Sequence, residues 1–207
     1  EEYNGVANTW SPGGNMITGR TNLAGAGTQT AALAFGGGFP ITNATEEYSS
    51  GAWNAGGPLI TQKFQLGGTG TQTAALAFGG RTPSATFSSE EYDGGTQTWS
   101  AGGIINANTQ QPGAAGTQTA ALAFGGSPSV GTTQEYNSGT WSAAPANMIT
   151  GRAALAGAGT QTSALAFGGQ NPATLNATEE WGATAGPSSF VNGFNFSDST
   201  GDTTVKN

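Results

Sequence analysis

The chain alternates apolar side chains of two sizes in short runs. In Thr30-Ala31-Ala32-Leu33-Ala34-Phe35, a strand would place Ala31, Leu33 and Phe35 on one face and Thr30, Ala32 and Ala34 on the other. Neither face carries a charge, which predicts a strand covered on both sides. Its large face suits stacking against the small face of a neighbouring sheet. Gly36-Gly37 stops this strand, and a loop leads to a second one at Ala44-Thr45-Glu46-Glu47-Tyr48. A Ser-Ser-Gly turn and a short strand around Trp53 follow. The equivalent turns contain Asn4-Gly5, Asp93-Gly94-Gly95 and Asn137-Ser138-Gly139, hairpin signals because Asn, Asp and Gly tolerate positive φ. The preceding stretch Asn22-Leu23-Ala24-Gly25-Ala26 is built of small residues, as a crowded strand near a central axis would be. No segment shows helical periodicity.

This block of four short strands recurs. GTQTAALAFGG stands at 27–37, 70–80 and 116–126, and again at 159–169 with Ser163 in place of Ala. A second element, EEY or QEY followed by Trp, begins at Glu1, Glu46, Glu90 and Gln134, and a partial copy ends at Trp181. The period of about 44 residues lies in the range of stacked supersecondary repeats. Four-stranded units repeated around an axis make a β-propeller. The expectation is therefore an all-β propeller of four to five blades over residues 1–181. A non-repeat tail, 182–207, would serve as a linker, a docking strand or a closing strand. Closure stays open at this point. The N-terminal strands around Tyr3 and Trp10 would complete the blade begun by 152–168, leaving Glu179-Glu180-Trp181 surplus. Alternatively, Phe190–Phe196 and Thr203–Val205 would complete a fifth blade, or further repeats would lie upstream.

The order double glycine, Tyr, Trp five to seven residues on, then a basic residue leading the next unit resembles the kelch repeat. Here it reads Gly36-Gly37, Tyr48, Trp53, Lys63, with Arg20 and Arg152 at the basic position of flanking units. The third unit departs, with Asn108-Thr109 there and one extra residue. The TEEYNG…W and GTQTAALAFGG wording also resembles kelch-like arrays in structural and appendage proteins of marine bacteriophages. These resemblances imply a display module on a virion or another extracellular assembly. They also imply structural, inter-blade roles for Arg20, Lys63, Arg152, Trp53, Trp99 and Trp141.

Composition narrows the chemistry. The chain has no His and no Cys, which removes Ser-His-Asp and Cys-His catalysis, imidazole or thiolate metal sites and disulfides. Twelve acidic against five basic residues give a net charge of −7 and no cationic stripe, so nucleic acid is not expected as a partner. No apolar run approaches the roughly 20 residues a membrane helix needs. The chain begins in mid-repeat without Met and reads as part of something longer.

All nine Glu residues lie in the EEY, QEY and EEW elements. They suggest a carboxylate ring for Ca²⁺ or a glycosidase acid/base pair. Adjacent strand residues point to opposite faces, however, so one Glu of each pair is expected in solvent and the other on a loop amide or a basic residue of a neighbouring blade. The Thr-Gln-Thr turns read either as a hydrogen-bonding ring at one mouth or as side-chain-to-backbone turn bonds. The aromatic set reads either as sugar-stacking platforms or as core between blades. No catalytic residue, metal ligand or cofactor is assigned.

The repeat diverges in the loops after each Gly-Gly, which emerge on one face with the connections between blades. Divergent loops on a rigid scaffold mark a recognition surface. The candidate binding residues are Phe39, Pro40 and Ile41; Arg81, Thr82 and Pro83; Ser127 and Pro128; Gln170, Asn171 and Pro172. The expected partners are other virion or surface proteins, further copies of the chain, and glycans.

Overall fold

A computed structural model of the chain describes residues 1–107, 110–182 and the strand at 189–192. Every element among them is a β-strand, and four antiparallel four-stranded sheets form the blades of a β-propeller. Blade 1 runs Ala24–Gly27, Ala31–Phe35, Thr45–Ser49, Ala52–Gly56. Blade 2 runs Gly67–Gly70, Ala74–Phe78, Ser88–Asp93, Thr98–Ile104. Blade 3 runs Gly113–Gly116, Ala120–Phe124, Thr133–Asn137, Thr140–Ala143. Blade 4 runs Ala156–Gly159, Ser163–Phe167, Thr178–Gly182, Ser189–Asn192. The first strands of successive blades pack on one another and line the axis, where their Gly and Ala residues let backbones approach. Ahead of blade 1, Glu2–Asn4 and Thr9–Ser11 pair as a separate hairpin.

The pairing settles two of the closure alternatives. Ser163–Phe167 takes Thr178–Gly182 as its neighbour, so Glu179-Glu180-Trp181 is the third strand of blade 4, and the N-terminal hairpin does not complete that blade. Phe190 lies on the fourth strand of the same blade, opposite Trp181, rather than in a fifth blade. Residues 193–196 of the Phe190–Phe196 alternative, and Thr203–Val205, lie outside the described residues.

The core is three copies of one interface. Leu33 and Phe35 of blade 1 pack on Ala75, Ala77, Tyr92 and Trp99 of blade 2. Leu76 and Phe78 meet Ala121, Ala123, Tyr136 and Trp141 in the same way. Leu122 and Phe124 meet Ala164, Ala166 and Trp181. The size alternation in the undecapeptide thus sets the direction of stacking: the large face of each blade lies against the small face of the next. The Phe35 and Trp99 rings lie 5.0 Å apart, and Phe78 and Trp141 5.1 Å, both edge to face.

Side-chain hydrogen bonds repeat at the seams between blades 1 and 2 and between blades 2 and 3. Trp99 Nε1 donates to Thr45 Oγ1 (2.9 Å) and Trp141 Nε1 to Ser89 Oγ (2.8 Å). Tyr92 donates to Glu47 (2.6 Å), Tyr136 to Glu91 and Tyr48 to Glu2. The Tyr48–Glu2 bond ties the N-terminal hairpin to blade 1, so the hairpin stands as the outer half of a preceding blade. Between the two ends, no packing of Ala156–Gly159 on Ala24–Gly27 comparable to that of neighbouring inner strands occurs among the described residues.

Candidate functional site

The loops after each Gly-Gly share a base. The amide of Thr42 donates to Gly37 O, and Thr86 to Gly80, Val130 to Gly126 and Leu175 to Gly169 repeat the bond. Above it they alternate in form. The loops of blades 1 and 3 turn at cis peptides, Phe39-Pro40 and Ser127-Pro128. Those of blades 2 and 4 fold into small hairpins, Arg81–Thr82 with Ser84–Ala85 and Gln170–Asn171 with Ala173–Thr174. The segment entering each blade lies alongside, because Leu59 N–H donates to Asn43 O, Ile105 to Phe87 and Met148 to Gly131. Loops and connections therefore share one face.

The first Glu of the elements at 46, 90 and 179 anchors those connections. Glu46 accepts the amides of Ile17 and Thr18 and pairs with Arg20 at 3.3 Å. Glu90 accepts Ile60 and Thr61 and pairs with Lys63 at 3.0 Å. Glu179 accepts Ile149 and Thr150 and pairs with Arg152 at 2.9 Å. All six side chains are at most 3 % exposed. Burial pulls Lys63 and Arg20 below their usual pKa ranges, opposed by the adjacent carboxylates. Each pair lies within one blade; the seam with the preceding blade is crossed by main chain, as Gly37 N–H donates to Lys63 O and Gly126 to Arg152 O. In blade 3 the position holds Gln134, whose Oε1 accepts the Asn106 amide at 2.7 Å.

What this anchoring displays is apolar. Ile17, Ile60 and Ile149, whose amides are held by the buried carboxylates, are 62, 60 and 56 % exposed. Phe39 (78 %), Phe87 and Ile104 join them in exposure. Sequence reasoning passed over the three isoleucines, although MITGR stands at both 16–20 and 148–152, with LITQK at 59–63.

The candidate loop residues fall into two groups. Phe39 and Arg81 converge on Phe64: the Phe39 ring is 6.2 Å away edge to face, and the Arg81 guanidinium lies 5.4 Å over the ring. Arg81 Nε also donates to Pro83 O, fixing its own hairpin. Pro40 and Pro83 are exposed, Ile41 and Thr82 half-buried. On the blade 3–4 side, Ser129 Oγ donates to Gln170 O at 3.2 Å, and Asn171 Nδ2 to Gly151 O at 2.6 Å. Ser127 is half-buried, while Pro128, Gln170, Asn171 and Pro172 are exposed.

The other groups singled out in the sequence have internal partners. Gln72, Gln118 and Gln161 reach back to the preceding blade and donate to the carbonyls of Tyr48, Tyr92 and Tyr136, at 2.6, 2.6 and 2.8 Å. Thr71, Thr117 and Thr160 accept amides within their own turns. Trp99 and Trp141 are 7 and 5 % exposed, which leaves no ring face for a sugar; Trp53 is half-buried against Tyr48. The second Glu of each pair is half-buried rather than solvated, and Glu2, Glu47 and Glu91 take the tyrosine hydroxyls of the next blade. Among the described residues no three Asp or Glu gather into a metal-binding group, and no helix is long and apolar enough to cross a membrane. A polar, open cleft of about 380 Å³ lies between blades 2 and 3 beside Glu91, Asp93, Ser100 and Gln118. No protein-family model matches the chain, and no curated protein matches it in sequence.

Proposed function

We propose that the chain is a non-enzymatic structural or adhesion module of the kelch-like kind, displayed on a virus particle or a related extracellular assembly. It recognises a surface protein through the loop face. The observation that carries this reading is the pairing of exposure with rigidity there: Ile17, Ile60 and Ile149 project from segments pinned by three buried ion pairs. Exposed apolar side chains on a preorganised frame lose little conformational entropy on binding. The virion setting is supported by the wording of the repeats, and it makes other surface components of such an assembly, or of its host, the natural partners.

The test is adhesion of the labelled chain to immobilised marine bacterial surface protein and to a glycan array, comparing wild type with Ile60→Asp/Ile149→Asp and with Trp53→Ala. The proposal expects retention on protein, lost in the double isoleucine variant and kept in Trp53→Ala. Glycan binding that weakens with Trp53→Ala would instead favour a lectin. Hydrolysis of a bound glycan that disappears in Glu47→Gln or Glu91→Gln would favour a glycosidase.

A further inference from the structure

All four blades carry one small bridge where the segment entering the blade meets the loop after its Gly-Gly. It joins Thr21 to Gly38, Phe64 to Arg81, Gln110 to Ser127 and Ala153 to Gln170. The backbone pairing repeats and the residues do not, so the chain varies side chains here on a constant frame. In blade 2 the bridge sets an aromatic ring beside a cation. Phe64 and Arg81 exchange both main-chain bonds, at 3.2 and 3.0 Å, which holds the two side chains together. The Arg81 guanidinium lies over the Phe64 ring and its Nε–H is taken by Pro83 O. From the loop of blade 1, the Phe39 ring meets Phe64 edge to face. Three separate segments thus build one cluster.

Arg81 differs from the other described cationic side chains. Arg20, Lys63 and Arg152 are buried against Glu46, Glu90 and Glu179. The two Nη groups of Arg81 have neither a hydrogen bond nor an ion pair among the described residues, in a chain with twelve acidic residues. A guanidinium already held by a ring and a carbonyl gives up little further freedom when an oxyanion meets its open edge. That edge, Nη1 and Nη2, is the planar fork that a carboxylate matches with two parallel bonds. The exposed residues beside it are apolar: Phe39, Pro40 and Pro83. An acidic sugar would lay its hydroxyls on this hydrocarbon without partners, so the surroundings favour a carboxylate carried next to an apolar group.

We infer that Arg81 and Phe39 form a subsite for an Asp or Glu side chain that stands beside an apolar side chain on a partner protein. Arg81 takes the carboxylate through both Nη groups, and Phe39 with Pro83 takes the apolar neighbour. This rests on the reading of the loop face as the recognition surface, and it gives that face a charge preference: acidic-apolar patches fit here and basic ones do not.

Nitrogen-15 NMR of the arginine side chains tests the subsite without any partner, because the chain has three arginines and buried Arg20 and Arg152 serve as internal controls. The probes are 4-phenylbutyrate, its uncharged analogue 4-phenylbutanamide, and glucuronate as an acidic sugar. Phenylbutyrate should shift the Arg81 Nε–H and Phe39 ring signals saturably, with affinity at least about tenfold lower for the amide and for glucuronate. Arg81→Gln should abolish the response at Phe39. Phe39→Ala should weaken phenylbutyrate binding and leave the weaker response to acetate unchanged. Unmoved Arg20 and Arg152 signals report that each variant is folded. No saturable shift at Arg81, an amide that binds as well as the carboxylate, or a Phe39 response that survives Arg81→Gln would overturn the inference. Glucuronate binding as tightly as phenylbutyrate would assign the subsite to acidic glycans and overturn it equally. A failed titration leaves loop-face adhesion standing, and a failed adhesion assay leaves the titration to decide the subsite.

Discussion

At the residue scale, the buried pairs Arg20–Glu46, Lys63–Glu90 and Arg152–Glu179 carry most of the electrostatic risk in the fold. A buried pair gives little net stability, but breaking it strands a charge, at a cost of about 3–5 kcal/mol. Blade 3 shows how the chain does without one. Gln134 replaces the carboxylate and still receives a loop amide, and Thr109, just ahead of the bridge of Gln110 to Ser127, takes the chain position of the cation. Glu90→Gln alone should therefore cost about 3 kcal/mol in urea unfolding, since Lys63 is left without its counter-charge. Glu90→Gln with Lys63→Thr, which copies blade 3, should lose substantially less, and equal losses would refute the pairing account. This coupling was half legible beforehand: QEY and the missing cation stand in the same repeat. That the pair closes within a blade was not legible, because spacing along the chain does not say which strand edge a side chain reaches.

At the element scale, the repeated tyrosine bonds make the seams sensitive to alkaline pH. Burial first, then the bond to Glu47, raises the Tyr92 hydroxyl above its usual value of 10.0, and Tyr136 is raised likewise by burial and Glu91. A group whose pKa is higher folded than unfolded gives stability that is present below the unfolded value and lost as pH rises through the folded one. The urea midpoint should thus decline above about pH 10, and more steeply in wild type than in Tyr92→Phe/Tyr136→Phe. A parallel decline in both proteins would assign the loss elsewhere.

The same seams explain the double glycines that follow Trp10, Trp53 and Trp99. A Cβ on Gly57 would stand 1.7 Å from Gln97 O of the next blade, and one on Gly56 would meet the Tyr92 hydroxyl at 2.9 Å. Where the next blade carries Trp181 instead of Tyr, the position equivalent to Gly56 is Ala144, which packs on that cluster. Gly57→Ala should cost about 3 kcal/mol or more, while Gly19→Ala, with open space around its Cβ position, should stay within about 0.5 kcal/mol. The hairpin turns show where residue rules fell short. Positive φ falls on Ser50 and Ser138 as well as on Gly51 and Gly139, so Ser, not only Asn or Asp, occupies the left-handed site.

At the scale of the whole molecule, strand alternation and the 44-residue period made the propeller readable, because every blade repeats the same local solution. Blade 4 was harder to read. Its fourth strand lacks the Trp of the other blades, and Phe190 stands in that register position. Thr133 Oγ1, whose counterparts Thr45 and Ser89 accept a Trp N–H, is buried without a hydrogen-bond partner among the described residues. The loop face was legible as the place where repetition stops, but its exposed isoleucines were hidden inside the repeat itself.

The claim that this face does the recognising is tested most directly by hydroxyl-radical footprinting of the chain, free and bound to the surface protein it adheres to. Oxidation of Phe39, Ile60, Phe87 and Ile149 should fall on binding, with Tyr3 and Trp10 at the far end unchanged. Loss of oxidation at Tyr3 and Trp10, with the isoleucines as reactive as before, would contradict the account.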